Sequence, residues 1–440
     1  MTFARALVVA LLAALPAQEP SSVSLENGMR IVAIERPALP LVSFALYLRG
    51  GQMLDGPATF RHTTVAATCA WTGHDDLDEE GVRAAAADLG AHFGGDVDLQ
   101  DTRIWLTCLA QHAERGLALL AGTVLRPSFD EQVVARERDR ELRRLTQRRR
   151  RAEDLAQQTL MAALADEHPL ARAFALEDRD GALAAADRAA IVAAWRRQAQ
   201  PQLATLFVVG RGAGALRDAA CAAFAGWPRP ESATDVPVPE LPAMPAGKVV
   251  KVPLPEATQV WIQAGMAGPR LDDPLAPAVQ VLFFALAGGF TSLLEDELRV
   301  ERGLVYDVGF RIPPTTFAPP CVLGTATHPD NVAEVLDATC RALRTAAAGG
   351  LRDSQIEAAR NMWLVQRAAE RETHLGAADA AYRSLRLSGD FAAEQRTADA
   401  VAATTPAQVA EAAERFDPRR LVVVLVGAPD ALAKIEWRPQ

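Results

Sequence analysis

The chain has 440 residues, half of them hydrophobic, so it is long enough for two or three domains with large cores. Its formal net charge of −9 gives no electrostatic support for binding nucleic acid, and we exclude that class of partner. The five cysteines are widely spaced and form no C-x-x-C pair, which argues against a zinc ribbon or a redox motif. We expect them to be buried small hydrophobic residues, although one disulfide is compatible with their number.

The first 17 residues have the pattern of a secretory signal peptide. Met1–Arg5 carries one positive charge, Ala6–Leu15 is an apolar run too short to span a bilayer, and Ala17 offers a small residue for cleavage. The alternative interpretation is a first buried strand. We expect export to the periplasm or the extracellular space, loss of residues 1–17, and no transmembrane segment in the mature chain.

Strands and helices alternate along the first half. Apolar runs predict neighbouring strands at Ile31–Glu35 and Leu41–Leu48, and an alternating pattern predicts a further strand at Val97–Leu109. Helices are predicted between them at Thr63–Thr72 and Asp78–Leu89.

A longer helical run follows. Ser128 and Glu131 form a capping-box pattern, and the run extends to Pro169 without having to be continuous. Because the order mixes hairpin-linked strands with helices, we predict the α+β class.

Two landmarks of the first half recur in the second. An apolar strand ends at Gly50 and a similar one ends at Gly265, an offset of 215 residues. The strand LATLFVVG ends at Gly210 and LVVVLVG ends at Gly427, an offset of 217 residues. Nearly equal offsets indicate duplication, so we predict two homologous domains, each a mixed or antiparallel sheet packed with helices.

A proline-rich stretch separates the two halves. Proline disfavours helices and central strands, so the stretch is expected to be an extended linker. We place the first domain at residues 20–225, the linker at 226–245 and the second domain at 246–440.

Four segments give the chain a family resemblance. They are SLENGMRIV at the start, the strand YLRGG, the helix end WTG, and Leu286–Phe310 in the second half, which reads LAGGFTSLLEDELRVERGLVYDVGF. With them the chain resembles the pitrilysin/insulinase family of zinc metallopeptidases over nearly its whole mature length. Active members carry H-x-x-E-H on the first helix of the first domain. Its two histidines bind zinc from one helix face, and its glutamate takes a proton from the zinc-bound water.

This chain departs from that motif. Aligned on Gly73, the motif falls on residues 64–68, where Thr64 and Thr68 replace the histidines and Ala67 replaces the base. No shift of register restores it, because residues 60–73 contain one histidine, His62, and no glutamate.

The third zinc ligand is also missing. The resemblance places it seven residues after Glu137, at Arg144, and a guanidinium is permanently cationic and repels a metal ion. Glu141 is a neighbouring carboxylate, but one carboxylate cannot make a catalytic zinc site. We therefore expect no cofactor in this chain, and zinc in a partner subunit.

An unorthodox metal site is the remaining alternative for the first domain. Its candidate ligands are His62, Cys69, His74, Asp75 and Asp76. Their spacing fits no common tetrahedral pattern, and a buried cysteine beside a polar turn explains the same residues.

The second half retains a different pair of family residues. Ser292 and Glu295 form a capping-box pattern before a short helix that carries Arg299, and Leu304–Phe310 is a predicted strand that carries Tyr306. In active two-domain members, an arginine and a tyrosine at this spacing reach across the central chamber and hydrogen-bond the substrate backbone near the zinc. The resemblance assigns that role to Arg299 and Tyr306, whose side chains can donate to a carbonyl or an oxyanion. The alternative is that Arg299 complements a helix C-terminus while Tyr306 packs in the sheet.

The resemblance implies the non-catalytic subunit of a heterodimeric peptidase. Some family assemblies place zinc in one chain and the arginine–tyrosine pair in the other, so we expect activity only with a homologous zinc-bearing subunit. Peptides or unfolded protein segments are the expected ligands, added as a β-strand along an exposed edge at residues 97–106. Two alternatives stay open: an exported binding or structural protein without proteolysis, and an active metallopeptidase with the unorthodox metal site.

Overall fold

The computed structural model describes residues 20–439 except 166, 233, 235, 237 and 243–246. The expected signal peptide at residues 1–17 lies outside the described residues, as does part of the expected linker. None of the described helices is both long and apolar enough to cross a membrane.

Short, mostly apolar strands build the sheets. In chain order they are β1 Ser21–Ser24, β2 Arg30–Glu35, β3 Leu41–Arg49, β4 His92–Val97, β5 Asp101–Leu109, β6 Ala204–Gly210, β7 Lys248–Pro253, β8 Val260–Ala267, β9 Val305–Arg311, β10 Pro320–Thr327 and β11 Val422–Gly427.

Helices connect and cover these strands. In chain order they are α1 His62–Ala70, α2 Glu79–Asp88, α3 Ala113–Leu125, α4 Glu131–Arg148, α5 Ala152–Ala165, α6 Pro169–Phe174, α7 Arg188–Gln198, α8 Ala213–Ala225, α9 Ala276–Ala287, α10 Leu293–Glu295, α11 Val332–Ala347, α12 Asp353–Glu370, α13 His374–Ser388, α14 Ala393–Ala403, α15 Pro406–Glu414 and α16 Pro429–Lys434.

The first sheet has the strand order β1-β2-β6-β3-β5-β4 in the described chain. Only the pair β2–β6 is parallel among its described pairings. β3 lies inside this sheet, and residues 42–48 are all buried, which explains its near-continuous apolar sequence.

The second sheet repeats the first. Its order is β7-β11-β8-β10-β9, and β7–β11 is its parallel pair in the described residues. The first sheet without β1 reads β2-β6-β3-β5-β4, with the parallel pair in the same place. The predicted α+β class with two homologous domains is therefore confirmed. β6 and β11 end at Gly210 and Gly427 in equivalent positions, whereas β8 continues past the predicted end at Gly265 to Ala267.

The chain divides into two compact units. One comprises the described residues of 1–141, 179–237 and 368–383, and the other those of 142–178, 238–367 and 384–440. Each unit holds one sheet and one segment from the other half of the sequence. Residues 368–383, with the first part of α13, belong to the first unit, and residues 142–178, with α5 on strands β8 and β11, belong to the second.

The predicted single strand at Val97–Leu109 is wrong. The chain turns after Val97 and forms the hairpin β4–β5, with Val97 opposite Thr102. β5 is paired on both sides, by β3 and β4, so the expected free edge at residues 97–106 is wrong for residues 101–106. The edge is β4, where Gly94 and Gly95 interrupt the apolar alternation that would have revealed it in the sequence.

The helix predicted to begin at Ser128 begins at Glu131 instead. Phe129 has a positive φ of 47°, which is incompatible with a helix, and Asp130 follows it. The Oδ1 atom of Asp130 accepts from the backbone nitrogens of Gln132 and Val133 at 2.8 and 3.2 Å, so Asp130 is the cap.

Candidate functional site

Helix α1 carries the positions at which the resemblance expects zinc ligands. Ala67 is fully buried, whereas Thr64 and Thr68 are half-buried. The Thr68 hydroxyl donates to the carbonyl oxygen of Thr64 at 3.0 Å, a bond within the helix. Catalytic zinc is held by imidazole, thiolate or carboxylate, and none of these is present on this face.

The candidates for an unorthodox metal site have other partners. His62 Nε2 lies 3.0 Å from the carbonyl oxygen of Ala182, and Asp76 accepts from Arg126 at 3.1 Å. Burial raises the pKa of the Cys69 thiol to about 12, which disfavours the thiolate that a metal requires. In the part of the chain that the structure describes, no group of three or more histidine, cysteine or acidic side chains could hold a metal ion.

Helix α4 brings one carboxylate beside α1. Glu137 is buried and accepts from Arg136 Nε at 2.9 Å, and its charge contributes, after burial, to the raised pKa of Cys69. Arg144, at the expected third-ligand position, is exposed on α4. The helix therefore supplies no ligand where the family has one.

A buried aspartate holds the N-terminus of α1. Asp55 accepts from the Thr63 nitrogen at 3.2 Å and from the Thr63 hydroxyl at 2.7 Å, and Arg197 Nη2 lies 3.6 Å away. Burial raises the pKa of Asp55 to about 7, although Thr63 and the arginine favour the ionised form. Asp55 lies eight residues before Thr63, which is not a capping distance, so no sequence pattern predicts this contact.

The stability of the fold should depend on the protonation of Asp55. Because its pKa is higher in the folded than in the unfolded chain, its stabilising contribution is complete below about pH 4 and is lost as the pH rises through about 7. Asp55→Asn, neutral throughout, should remove this dependence. The measurement is the free energy of unfolding in urea, at pH 5 and at pH 8. The value for the variant minus the value for wild type should be larger at pH 8 than at pH 5, by on the order of 2 kcal/mol. Equal differences at the two pH values would contradict this.

Among the described residues, the outer edge of strand β4 is unpaired, and an indole ring lies against each face of the strand. Trp105 of β5 pairs with Gly94 of β4 and covers one face. The guanidinium carbon of Arg103 lies 4.7 Å from the centroid of the Trp105 ring. On the other face Trp71 lies so close that a Cβ at Gly95 would be 2.2 Å from its ring. An extended peptide can add to such an edge through main-chain hydrogen bonds.

In the second unit, Arg299 lies on a π-helical turn. The turn spans Asp296–Glu301 and continues α10. It ends where Gly303 donates to the Arg299 carbonyl at 3.1 Å and Leu304 donates to the Leu298 carbonyl at 2.7 Å. Such turns are rare and are frequent at functional sites.

The capping box predicted at Ser292 is wrong. The Ser292 side chain makes no capping hydrogen bond, and Glu295 points elsewhere. Glu295 Oε1 accepts from Arg299 Nη1 at 2.6 Å, and Oε2 accepts from the Val308 nitrogen at 3.1 Å. The physical reason is that Glu295 also lies four residues before Arg299 on the same helix face. The charge-assisted hydrogen bond with Arg299 is stronger than a capping bond to a backbone nitrogen, so it forms instead.

Tyr306 lies on a β-bulge of the edge strand β9. Val305 pairs with Thr327 and Val308 with Thr325, so Tyr306 and Asp307 together oppose one residue of β10. A bulge re-aims the side chains that it carries, and the Tyr306 ring is 82% exposed. The alternative in which this ring packs in the sheet is therefore wrong.

The structure brings Arg299 and Tyr306 together. The guanidinium carbon of Arg299 lies 5.4 Å from the centroid of the Tyr306 ring and 5.2 Å from that of Phe290, a second ring that is 74% exposed. The hydrogen bond that Arg299 donates to Glu295 raises the pKa of Arg299, which favours its cationic form. Phe290 was not predicted, because a lone aromatic residue in a glycine-rich stretch forms no pattern.

One family model matches a central segment of the chain. Residues 186–362 match the family described as the peptidase M16 inactive domain. The chain is similar to M16 inactive domains over this segment. Peptidase M16 is the pitrilysin/insulinase family, so the resemblance is confirmed, and together with the missing motif on α1 the match supports a non-catalytic M16-like protein.

Three solved structures share the fold over most of the chain. The peptidase M16 inactive domain from Pseudomonas fluorescens has a TM-score of 0.83 at 20% identity, with 96% of this chain and 99% of that chain covered. A protease from Helicobacter pylori has a TM-score of 0.83 at 14% identity, with 93% and 99% covered. The periplasmic protease PqqL from Escherichia coli has a TM-score of 0.78 at 16% identity, with 94% of this chain and 46% of that chain covered. A search of curated protein sequences finds no significant match.

We predict that the isolated chain binds no stoichiometric zinc. An M16 site needs two imidazoles and a carboxylate, and this chain has Thr64, Thr68 and Arg144 at those positions. Elemental analysis after dialysis should therefore give far less than one zinc per chain. A value near one that survives a chelator wash would refute the prediction.

Proposed function

We propose that this chain is the non-catalytic subunit of a two-chain M16 peptidase and contributes Arg299 and Tyr306 to substrate binding beside the zinc of a homologous partner. The observation that carries the proposal is that the Arg299 guanidinium lies against two exposed rings, those of Phe290 and Tyr306, while helix α1 lacks zinc ligands.

The chemistry of the pair suits a peptide carbonyl. Arg299 donates a hydrogen bond from Nη1 to Glu295, and no other hydrogen bond of its guanidinium is found among the described residues. Its remaining N–H groups and the exposed Tyr306 hydroxyl are free to donate to a carbonyl oxygen or to the oxyanion that forms when water attacks it. These donors can stabilise a reaction whose zinc and base belong to another chain.

The edge strand β4 supports a peptide as the ligand. Its outer edge is unpaired in the described chain, and backbone pairing gives affinity without regard to side-chain identity. Peptides or unfolded segments are therefore the substrate class that we propose.

Export also belongs to this proposal. The pattern of residues 1–17 favours a periplasmic or extracellular location, and the similar protease PqqL is described as periplasmic. The zinc-bearing partner should then be exported as well.

Co-purification tests the assembly. The chain, tagged at its C-terminus, is expressed in its native host and purified from the exported fraction by affinity and size-exclusion chromatography. We expect an M16 chain with intact H-x-x-E-H to elute with it in equal amount. If the tagged chain elutes without any such partner, the heterodimer is wrong, and an exported peptide-binding protein takes its place.

A further inference from the structure

A single buried carboxylate joins the two segments that carry Arg299 and Tyr306. Glu295 Oε1 accepts from Arg299 on the π-helical turn at 2.6 Å, and Oε2 accepts from the Val308 nitrogen on β9 at 3.1 Å, two residues after Tyr306. We propose that Glu295 is the positioning residue of this site and fixes the guanidinium against the Tyr306 ring. The proposal rests on the proposed function and adds a residue that acts through Arg299.

The burial of Glu295 explains why it can fix both segments. Its side chain is only 6% exposed, whereas that of Arg299 is 34% exposed. A buried carboxylate that loses a partner is left with an uncompensated charge, so a movement of either segment away from it is opposed. Arg299, being partly exposed, is held at one nitrogen and keeps its other donors for a ligand.

Glu295 also closes the β9 edge at this point. β9 is the last strand of its sheet in the described chain, and the Val308 N–H bonds to Glu295. An edge N–H that is covered by a carboxylate cannot pair with an added strand. The bulge at Tyr306–Asp307 directly precedes Val308. The strand that carries the exposed tyrosine ring is therefore held by β10 at one edge and by Glu295 at the other.

The tyrosine content of the chain gives a direct test. The chain has three tyrosines, and Tyr47 and Tyr382 are buried in the first unit, so Tyr306 supplies the exposed signal. The full-length chain labelled with 3-fluorotyrosine should give three ¹⁹F resonances, and Tyr306→Phe assigns one of them. Glu295→Gln keeps the side-chain shape but removes the charge, and Gln can accept from only one of the two donors at its single oxygen.

We expect Glu295→Gln to move the Tyr306 resonance toward its position in Arg299→Ala. The matched control is Glu297→Gln, which removes ion pairs to Arg302 and Arg341 from the same turn without touching Arg299. It should leave the Tyr306 resonance unchanged. A Glu295→Gln resonance identical to wild type, or one that moves equally in both variants, overturns the proposal.

A double variant separates positioning from general stability. In the reconstituted pair, Glu295→Gln should lower kcat/KM roughly tenfold to a hundredfold, the scale of misplacing a reacting group by about 1 Å. In the Arg299→Ala background it should cause no further loss, because the residue through which it acts is gone. Equal losses in both backgrounds would mean that Glu295 does not act through Arg299.

The two proposals fail in different ways. If Arg299→Ala leaves cleavage at the wild-type rate, the proposed function is wrong, whereas the ¹⁹F comparison on the isolated chain still decides whether Glu295 positions Arg299. If Arg299→Ala abolishes cleavage but Glu295→Gln does not reduce it, the positioning proposal is wrong and the proposed function stands.

Discussion

Tyr306→Phe should lower the kcat/KM of the reconstituted heterodimer at least about tenfold, and Arg299→Ala should lower it by about 10²–10³-fold. Each variant removes a donor that we place at the developing oxyanion. Tyr306→Phe removes only a hydroxyl from a ring that is 82% exposed, so the fold should not change. A loss in kcat would place the contact in the transition state, whereas a rise in KM alone would place it in substrate binding.

Arg302→Ala is the matched control for Arg299→Ala. Arg302 lies three residues further on, with its side chain 35% exposed, and it pairs with Glu297 and Glu334 rather than with an aromatic ring. It should leave kcat/KM within about twofold of wild type, and both variants should still bind the partner. If Arg299→Ala and Tyr306→Phe both cleave peptides at the rate of Arg302→Ala, the substrate-binding role is wrong.

Asp379→Ala should cause the largest loss of stability among the substitutions considered. Asp379 lies on α13, within the segment that joins the first unit, and accepts from the Tyr47 hydroxyl at 2.5 Å and from Arg103 Nη1 at 2.6 and 2.7 Å. Burial raises the pKa of Tyr47 well above its usual value, so its hydroxyl stays protonated and needs an acceptor. Removing that acceptor should cost about 2 kcal/mol or more, after allowance for the partial exposure of Asp379.

The stacked tyrosines should make the effect visible. Tyr47 lies 4.0 Å from Tyr382 of α13, centroid to centroid, and the Tyr382 hydroxyl donates to Asp101, so the two rings move apart if the segment leaves the sheet. We expect Asp379→Ala to lower the Tm and to shift the ¹⁹F signals of both Tyr47 and Tyr382 in the 3-fluorotyrosine-labelled chain. Asp399→Ala, at an exposed aspartate bonded to Gln395, is the control, and an equal Tm for the two variants would contradict the account.

The sequence was sufficient where a pattern was local. β3 and β11 are near-continuous apolar runs, so their burial followed from the sequence alone. Arg299 and Tyr306 were predicted from the resemblance of Leu286–Phe310 to the family, because their spacing alone favoured purely structural roles. The repeated strand order confirms the duplication that the spacing of the recurring glycines indicated.

The sequence failed where a contact is distant or a spacing is ambiguous. Tyr47 and Asp379 are 332 residues apart, so no window contains both. β4 was not predicted, because Gly94 and Gly95 have no side chains that could show the apolar–polar alternation of a strand. The rings of Trp105 and Trp71, from other elements, cover the two glycines. Glu295 satisfied both a capping-box spacing with Ser292 and an ion-pair spacing with Arg299, and only the fold shows that the second forms.

Peptidase activity measured on three samples tests whether this chain is the non-catalytic subunit of a two-chain peptidase. The samples are this chain alone, the H-x-x-E-H partner alone, and an equimolar mixture, each assayed on an unstructured peptide with a chelator-treated mixture as the blank. We expect negligible activity for each chain alone and zinc-dependent cleavage by the mixture. Zinc-dependent cleavage by this chain alone, or a mixture no more active than the partner, would contradict it.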